Sequence, residues 1–226
     1  MNADISVGVS IIVPLLNEEA TVNELINELE EYGAEQIIIV DGGSADSTKE
    51  LVLSTGYQVI DSPAGRAKQM NAGAKVANQP WLLFLHADTK LPQSYKSEIA
   101  KADVWGRFDV SFQGRSLRMN VVSFFMNLRS RISSVATGDQ AIFIDRDTFQ
   151  SLGGFPDFPL MEDVALCKRL RLLHKPFNSK KKVVTSARRW EKNGVAKTVL
   201  KMWWYRLAYF LGTSPAKLKR GYEDVR

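Results

Sequence analysis

Four carboxylates and one histidine fall where apolar runs stop, and their types suit work on a phosphorylated ligand. Trp81-Leu82-Leu83-Phe84-Leu85 reads as a buried strand of a parallel sheet, both of whose faces must be covered. It runs into His86-Ala87-Asp88. Residues two apart on a strand share a side, so His86 and Asp88 are expected to project together. The carboxyl ends of strands are where open α/β sheets bind ligands. An imidazole beside a carboxylate makes half of a metal site for such a ligand. Asp88 or Thr89 would equally serve as the cap of a helix suggested by Leu91-Pro92. Asp41 closes a second run, Gln36 to Val40. A hairpin turn at Asp41-Gly42 is disfavoured there because a capped helix, not an alternating strand, follows. Glu162-Asp163 opens a helix after Gly153-Gly154-Phe155-Pro156. These two carboxylates either act on substrate or simply favour the helix's positive end.

The elements that must position these groups follow from periodicity. Ser10 to Pro14 reads as a first buried strand. Thr21 and Glu24 form a capping box for a helix with Val22, Leu25, Ile26 and Leu29 on one face, ended by Gly33. Ser47 and Glu50 make a second such box, opening a short helix that stops at Gly56. Tyr57 to Ile60 is a third strand, and a helix of small residues runs from about Arg66 to Ala77. The resulting β-α-β-α-β-α-β order predicts a parallel sheet with right-handed crossovers. Beyond it, Val104 to Phe112 alternates as a strand exposed on one face would. A helix with Leu117, Val121, Phe125, Leu128 and Ile132 on one side follows. Then come a short strand Ala141 to Ile144, a helix Asp163 to His174, a strand Val183 to Thr185 and an aromatic helix over 194–211. Ser214-Pro215 is a cap with proline at the first helical position. The whole chain, 1–226, reads as one domain: a nucleotide-binding half to about 103, and an irregular half with the C-terminal helices that completes the site.

Composition narrows the classes. The chain has 226 residues, 45% hydrophobic and 24% charged, as in ordinary globular proteins. No run of apolar residues is long enough to span a bilayer. One cysteine, Cys167, excludes an internal disulfide framework and a multi-cysteine zinc site, and its apolar neighbours mark a buried structural thiol. With no leader-like start, a cytoplasmic protein is expected. A net charge of +5 suits a polyanionic partner, but zinc-finger and RNA-binding patterns are absent, so nucleic acid is not expected. No Gly-x-Gly-x-x-Gly, Gly-Lys-Ser/Thr phosphate loop or Gly-x-Ser-x-Gly elbow occurs.

The order of motifs resembles the family 2 glycosyltransferases of the GT-A fold. The matching segments are Ile12 to Glu19, Val40 to Thr48, Gly65 to Gly73, Leu83 to Thr89, Gly138 to Ala141, Gly153 to Phe155 and Met161 to Asp163. His-Ala-Asp-Thr, Gly-Asp-Gln-Ala, Pro-Leu-Met-Glu-Asp and Ser-Ala-Arg-Arg-Trp-Glu are closest to a bacterial subgroup. That subgroup is labelled radical-SAM or selenodomain-associated, or arsenosugar-biosynthesis, transferase. The resemblance implies an α/β, GT-A-like single domain with a mostly parallel Rossmann-like sheet flanked by helices. It implies an enzyme moving a sugar from a nucleoside diphosphate sugar donor to an unknown acceptor, with inversion and a divalent cation, Mn2+ or Mg2+. Asp41 would accept hydrogen bonds from the base, beside the turn from Pro14 through Asn17 to Glu18. Arg66 and Asn71 would lie near base and diphosphate. Asp88 would hold the cation as the last carboxylate of the family's Asp-x-Asp motif. Asp163 would be the catalytic base, with Glu162 and Asp139 positioning base and acceptor. His86 stands where the family usually has aspartate. It ligates metal, contacts ribose or diphosphate, or packs at the strand end; manganese accepts imidazole more readily than magnesium does. Arg188-Arg189-Trp190 resembles an Arg-Trp element near the acceptor side, where arginine binds diphosphate and tryptophan stacks on sugar, or it is a basic amphipathic loop.

Two other readings stand beside this one: a nucleotidyltransferase of related topology, and a silent nucleotide-binding scaffold. Two basic and apolar segments also need explaining. Arg115, Arg118, Arg129 and Arg131 flank an apolar helix containing Phe124 and Phe125, and Lys201 to Arg206 begins an aromatic stretch reaching Phe210. They suit peripheral contact with a membrane, although core packing and homo-oligomer contacts are the favoured reading.

Overall fold

The computed structural model describes residues 7–114, 116–188, 190 and 194–222. In chain order the first half gives β1 (Val9–Leu15), α1 (Val22–Glu31), β2 (Gln36–Asp41), α2 (Thr48–Leu53), β3 (Gln58–Asp61), α3 (Arg66–Val76) and β4 (Trp81–Phe84). The second half adds β5 (Thr89–Lys90), α4 (Tyr95–Ile99), β6 (Trp105–Phe112), α5 (Leu117–Ser133), β7 (Phe143–Asp145) and α6 (Arg146–Ser151). It ends with α7 (Glu162–Leu173), β8 (Phe177–Thr185), α8 (Val195–Phe210) and α9 (Pro215–Arg220). One eight-stranded sheet runs through both halves in the order β3-β2-β1-β4-β7-β6-β8-β5. The β3-β2-β1-β4 ladders are parallel; β7 joins β4 antiparallel, β6 joins β7 antiparallel, and β8 returns parallel to β6. Both halves therefore form a single mostly parallel α/β domain.

The apolar runs of β1 and β2 are continuous because each strand feeds two cores. Ile12, Ile38 and Val40 point to the side covered by Ala67, Met70 and Ala74 of α3. Ile11, Val13 and Ile39 point to the other, against Val22, Leu25, Ile26 and Leu29 of α1. The small-residue character of α3 has a steric cause: a Cβ on Gly73 would lie 2.4 Å from Cγ2 of Ile12. The helix rests almost directly on the sheet, which brings its first residue, Arg66, to the carboxyl ends of the strands.

Several local expectations fail for identifiable reasons. Neither predicted capping box forms. Thr21 Oγ1 donates instead to the Glu18 carboxylate at 3.0 Å, and Glu24 pairs with Lys90 at 2.8 Å. Ser47 makes no side-chain cap; Thr48, the first residue of α2, donates its N–H and hydroxyl to Asp46. No helix begins at Leu91-Pro92, so neither Asp88 nor Thr89 is a cap there; Thr89 and Lys90 pair with Thr185 and Val184, and α4 starts at Tyr95.

The alternation along β6 does not leave one face in water, since its polar residues are covered as well. Arg107 is paired with Asp109, which also accepts from Arg131 at 2.6 Å. Asn127 caps the strand by donating to the Val110 carbonyl and accepting from the Val110 N–H. Buried charges persist where such partners satisfy them. In contrast, the apolar side of α5 faces solvent, and its packed side carries Met119, Val122, Ser123, Asn127 and Ser130. Core packing is thus not the explanation for Leu117, Val121, Phe124, Phe125 and Ile132. Cys167 is buried as expected, with burial pushing its thiol up to about 12.

Candidate active site

The carboxyl ends of β1 and β4, the first residue of α3, the start of α7 and one face of α8 enclose a cleft of about 400 Å3. Pro14 and Glu18 reach it from the end of β1, and Arg66 from α3. His86 and Asp88 reach it from the turn after β4. Strand β4 ends at Phe84, so these two residues meet through a turn rather than through strand alternation. That turn is fixed from the far half of the sheet. Thr89 N–H donates to the His86 carbonyl at 3.1 Å, and Ser186 N–H donates to that of Asp88 at 3.2 Å. The Asp88 side chain is left exposed within the cleft.

The opposite wall is built around Glu162 and Asp163. Met161 takes the left-handed conformation, φ 69°, and turns the chain into α7 so that both carboxyls sit in its first turn. One oxygen of Asp163 accepts from the Gly138 N–H at 2.9 Å, the other from its neighbour Val164 at 2.6 Å. The helix N-terminus and these donors favour the anion, but burial outweighs them and holds Asp163 above the usual carboxylate range. Burial, with the Asp163 charge adding to it, pushes Glu162 up to about 7. Gly138 also abuts His86: a Cβ there would lie 2.3 Å from the ring. His86 Nδ1 is 3.3 Å from Asp139 Oδ1. His86 and Asp163, far apart in the chain, thereby both lock onto one turn, 138–140, through Asp139 and Gly138 respectively.

The remaining residues expected at a site are placed less directly. Asp41 is buried at the end of β2, and its carboxylate accepts from the N–H groups of Gly43 and Ser44 at 2.8 and 2.9 Å and from the Ser44 hydroxyl. Asn17, at φ 54°, accepts from the Ala45 N–H at 2.8 Å while Ser44 Oγ accepts from the Asn17 N–H. These two residues clamp the loops after β1 and β2 and do not line the cleft. Asn71 is also set back: its amide donates to the Phe155 carbonyl at 2.8 Å and accepts from the Phe155 N–H at 2.9 Å, tying α3 to the loop 153–155. Trp190 lines the cleft, edge-on to Phe112 at 5.6 Å, beside the exposed Arg188. Arg189, like Arg115, lies outside the described residues.

Two contributors were not legible as such. Gln69, one turn after Arg66, is buried and donates to the carbonyls of Leu15 and Val40 at 2.7 and 2.9 Å, tying the ends of β1 and β2 together beneath the cleft. Its place in the Arg66 to Gly73 run was the available signal. Arg129, read as a surface arginine, instead turns inward. Burial holds its guanidinium below the usual arginine range against the opposing pull of the Asp163 and Asp139 carboxylates, and its Nη2 has no hydrogen-bond partner among the described residues.

No three histidine, cysteine or carboxylate side chains converge into a metal cage among the described residues. Magnesium and its kin are commonly held by one or two carboxylates with substrate phosphates and water completing the shell. The exposed carboxylate of Asp88 fits that mode. His86 fits it less well, because Asp139 already faces its Nδ1 at 3.3 Å and Gly138 packs close beside its ring.

This architecture is that of the GT-A glycosyltransferases. The structure resembles a Pyrobaculum calidifontis mannosyltransferase solved with GDP-Man and Mn2+, at TM-score 0.64 and 17% identity, over 99% of this chain and 69% of that one. It also resembles S. aureus TarS 1–349 solved with UDP, at TM-score 0.63 and 19% identity, over 79% and 60%. The sequence profile of Glycosyl transferase family 2 matches residues 10–132, and the chain belongs to that family. Among curated relatives, glycosyltransferase AglJ of Haloferax volcanii is 30% identical over 83 residues, covering 36% of this chain and 27% of its own. A PGL/p-HBAD biosynthesis glycosyltransferase of Mycobacterium bovis is 34% identical over 91 residues, 36% of each chain. The matches thus span about a third of those relatives' length.

Proposed function

We propose that this chain transfers a sugar from a nucleoside diphosphate to an acceptor hydroxyl by direct displacement with inversion. The observation that carries this reading is that Asp88 and Asp163, from opposite walls, face one cleft at the carboxyl ends of the sheet in a family 2 chain. Asp163 takes the proton of the acceptor hydroxyl as it attacks the sugar carbon; the bond to the diphosphate breaks on the other face. A positioned carboxylate base contributes ~10²–10⁴-fold. Its two backbone donors fix its orientation, and Glu162 and the His86–Asp139 pair shape the wall beside it. Asp88 would hold a divalent cation, Mn2+ or Mg2+, which when bound would stabilise charge on the departing diphosphate. Arg66 serves the same anion from α3, and Trp190 offers a stacking face for a sugar. Asp41 and the Asn17 clamp shape the base pocket.

Relatives of this fold were solved with UDP and with GDP-Man, which supports a uridine or guanosine donor. The likeness of residues 86–89 and 186–191 to the radical-SAM- and arsenosugar-labelled subgroup supports an acceptor specific to that subgroup. Thermal unfolding with UDP- and GDP-sugars, with and without Mn2+ or Mg2+, tests the donor assignment. A ligand that binds the folded state raises its stability as its concentration exceeds its dissociation constant. A rise with one nucleotide sugar that needs both metal and Asp88 is the expected result, and no rise with any donor would overturn it.

A further inference from the structure

Helices α5 and α8 each turn an apolar stripe outward. On α5 it comprises Leu117, Val121, Phe124, Phe125 and Ile132; on α8 it comprises Leu200, Trp203, Trp204, Leu207 and Phe210, with Leu211 just beyond. Trp203 and Trp204 are 70% and 66% exposed. The spacing, i, i+3, i+4, i+7 from Leu200 on α8 and i, i+4, i+7, i+8 from Leu117 on α5, is the arrangement that normally faces a core. The two helices adjoin, since Val195 and Val199 of α8 pack on the cluster containing Met119 and Val122 of α5. Exposed apolar surface on that scale marks an interaction site.

Charge selects what covers it. None of the chain's 25 acidic residues lies on α5, α8 or α9, whereas Arg118, Lys197, Lys201, Lys217, Lys219 and Arg220 stand exposed or half-exposed there. A second copy joined through the same face would set two wholly cationic surfaces against each other, because an isologous contact is self-complementary. Tryptophan and phenylalanine on the apolar side with lysine and arginine beside them is the composition that settles into the headgroup layer of an anionic bilayer. No helix among the described residues is long and apolar enough to cross a membrane.

We infer that α5 and α8 dock this protein peripherally on an anionic lipid surface, lying in its plane. The site is coupled to that surface through α8, whose Met202 and Arg206 line the cleft while Trp203 and Trp204, next along the same turns, face out. The docking does not depend on the transferase reading.

The test is flotation of the full chain with vesicles of phosphatidylcholine alone and with roughly a quarter phosphatidylglycerol. Tryptophan emission and light scattering of the lipid-free protein accompany it. Binding to the anionic vesicles with a blue shift, weakened by salt, and a lipid-free monomer are expected. The double variant W203S/W204S should bind at least about tenfold more weakly while its circular dichroism and its thermal response to nucleotide stay unchanged. F124S/F125S, on the other helix, should repeat the loss. Failure of the wild type to float with anionic vesicles, or a lipid-free dimer that W203S/W204S dissociates, would overturn the proposal. The nucleotide response reports separately on the cleft, so either reading can fail alone.

Discussion

Two sides of the molecule use the same functional group in opposite ways. On the side made by β1, β2 and α3, set back from the cleft, Asp41 is satisfied within four residues by Gly43 and Ser44. On the wall made by the 138–140 turn and α7, Asp163 takes one of its two hydrogen bonds from Gly138, 25 residues away. Glu162 next to it is raised by burial. A carboxylate held by its own loop is a structural fixture that shapes a pocket. A carboxylate buried at a seam between distant segments is held above the usual carboxylate range by that burial, which makes it a better proton acceptor than a solvated one.

That contrast can be broken most sharply at Asp163. Asp163→Asn keeps the shape and one of the two N–H acceptors but removes the base, so transfer should fall ~10²–10⁴-fold with donor binding by calorimetry unchanged. Equal turnover in the variant would remove Asp163 from the role of base.

Glu162 gives the next largest effect, in stability. A carboxyl raised in the folded state contributes stability that is full below its ordinary value of 4.5 and is lost as pH rises through about 7. Glu162→Gln does not titrate. Its stability relative to the wild type should therefore climb across that window and level off above it, by up to about 3 kcal/mol. Denaturant unfolding at both ends of the window measures the climb, and a flat difference would show that burial does not raise Glu162.

On the nucleotide wall the changes should be structural. Gly73→Ala places a methyl against Ile12, where contact would be 2.4 Å. Overpacking of this kind costs ~1–3 kcal/mol, read as a lower midpoint of thermal unfolding. Asp41→Asn removes charge from a loop held by two N–H donors, with an expected loss of ~1–2 kcal/mol. If Asp41→Asn abolished transfer while leaving stability and donor binding intact, the contrast between fixture and reactive group would fail.

Legibility in the sequence divides along a similar line. The β-α-β-α-β-α-β order, the buried face of α1 and the strand-end position of Asp41 came from periods of two and 3.6 within short windows, whereas Asp88 lies in the turn beyond β4. Such patterns are set by near neighbours, and the structure reproduces them. Capping was misjudged because Thr21 and Thr48 found better partners in Glu18 and Asp46. The side chain of Asn71 was expected at the donor, yet its amide matches the backbone of Phe155, 84 residues on. Arg129 and Arg131 were grouped with Arg118 as surface charges. Only the packing of α5 against β6 shows that two of the three turn inward.

The sequence by itself determined the parallel half-sheet, the family and the set of groups able to do chemistry, because strand ends and motifs are local. Only the tertiary structure decided which face each helix buries. A helix with an apolar stripe on one side and Asn127, Ser130 and Arg129 on the other can pack either way. The unsatisfied backbone and charges of β6 make the polar side of α5 its better partner, because burying a polar group is tolerated when it is hydrogen-bonded. The same choice leaves phenylalanine and tryptophan facing outward beside the cleft.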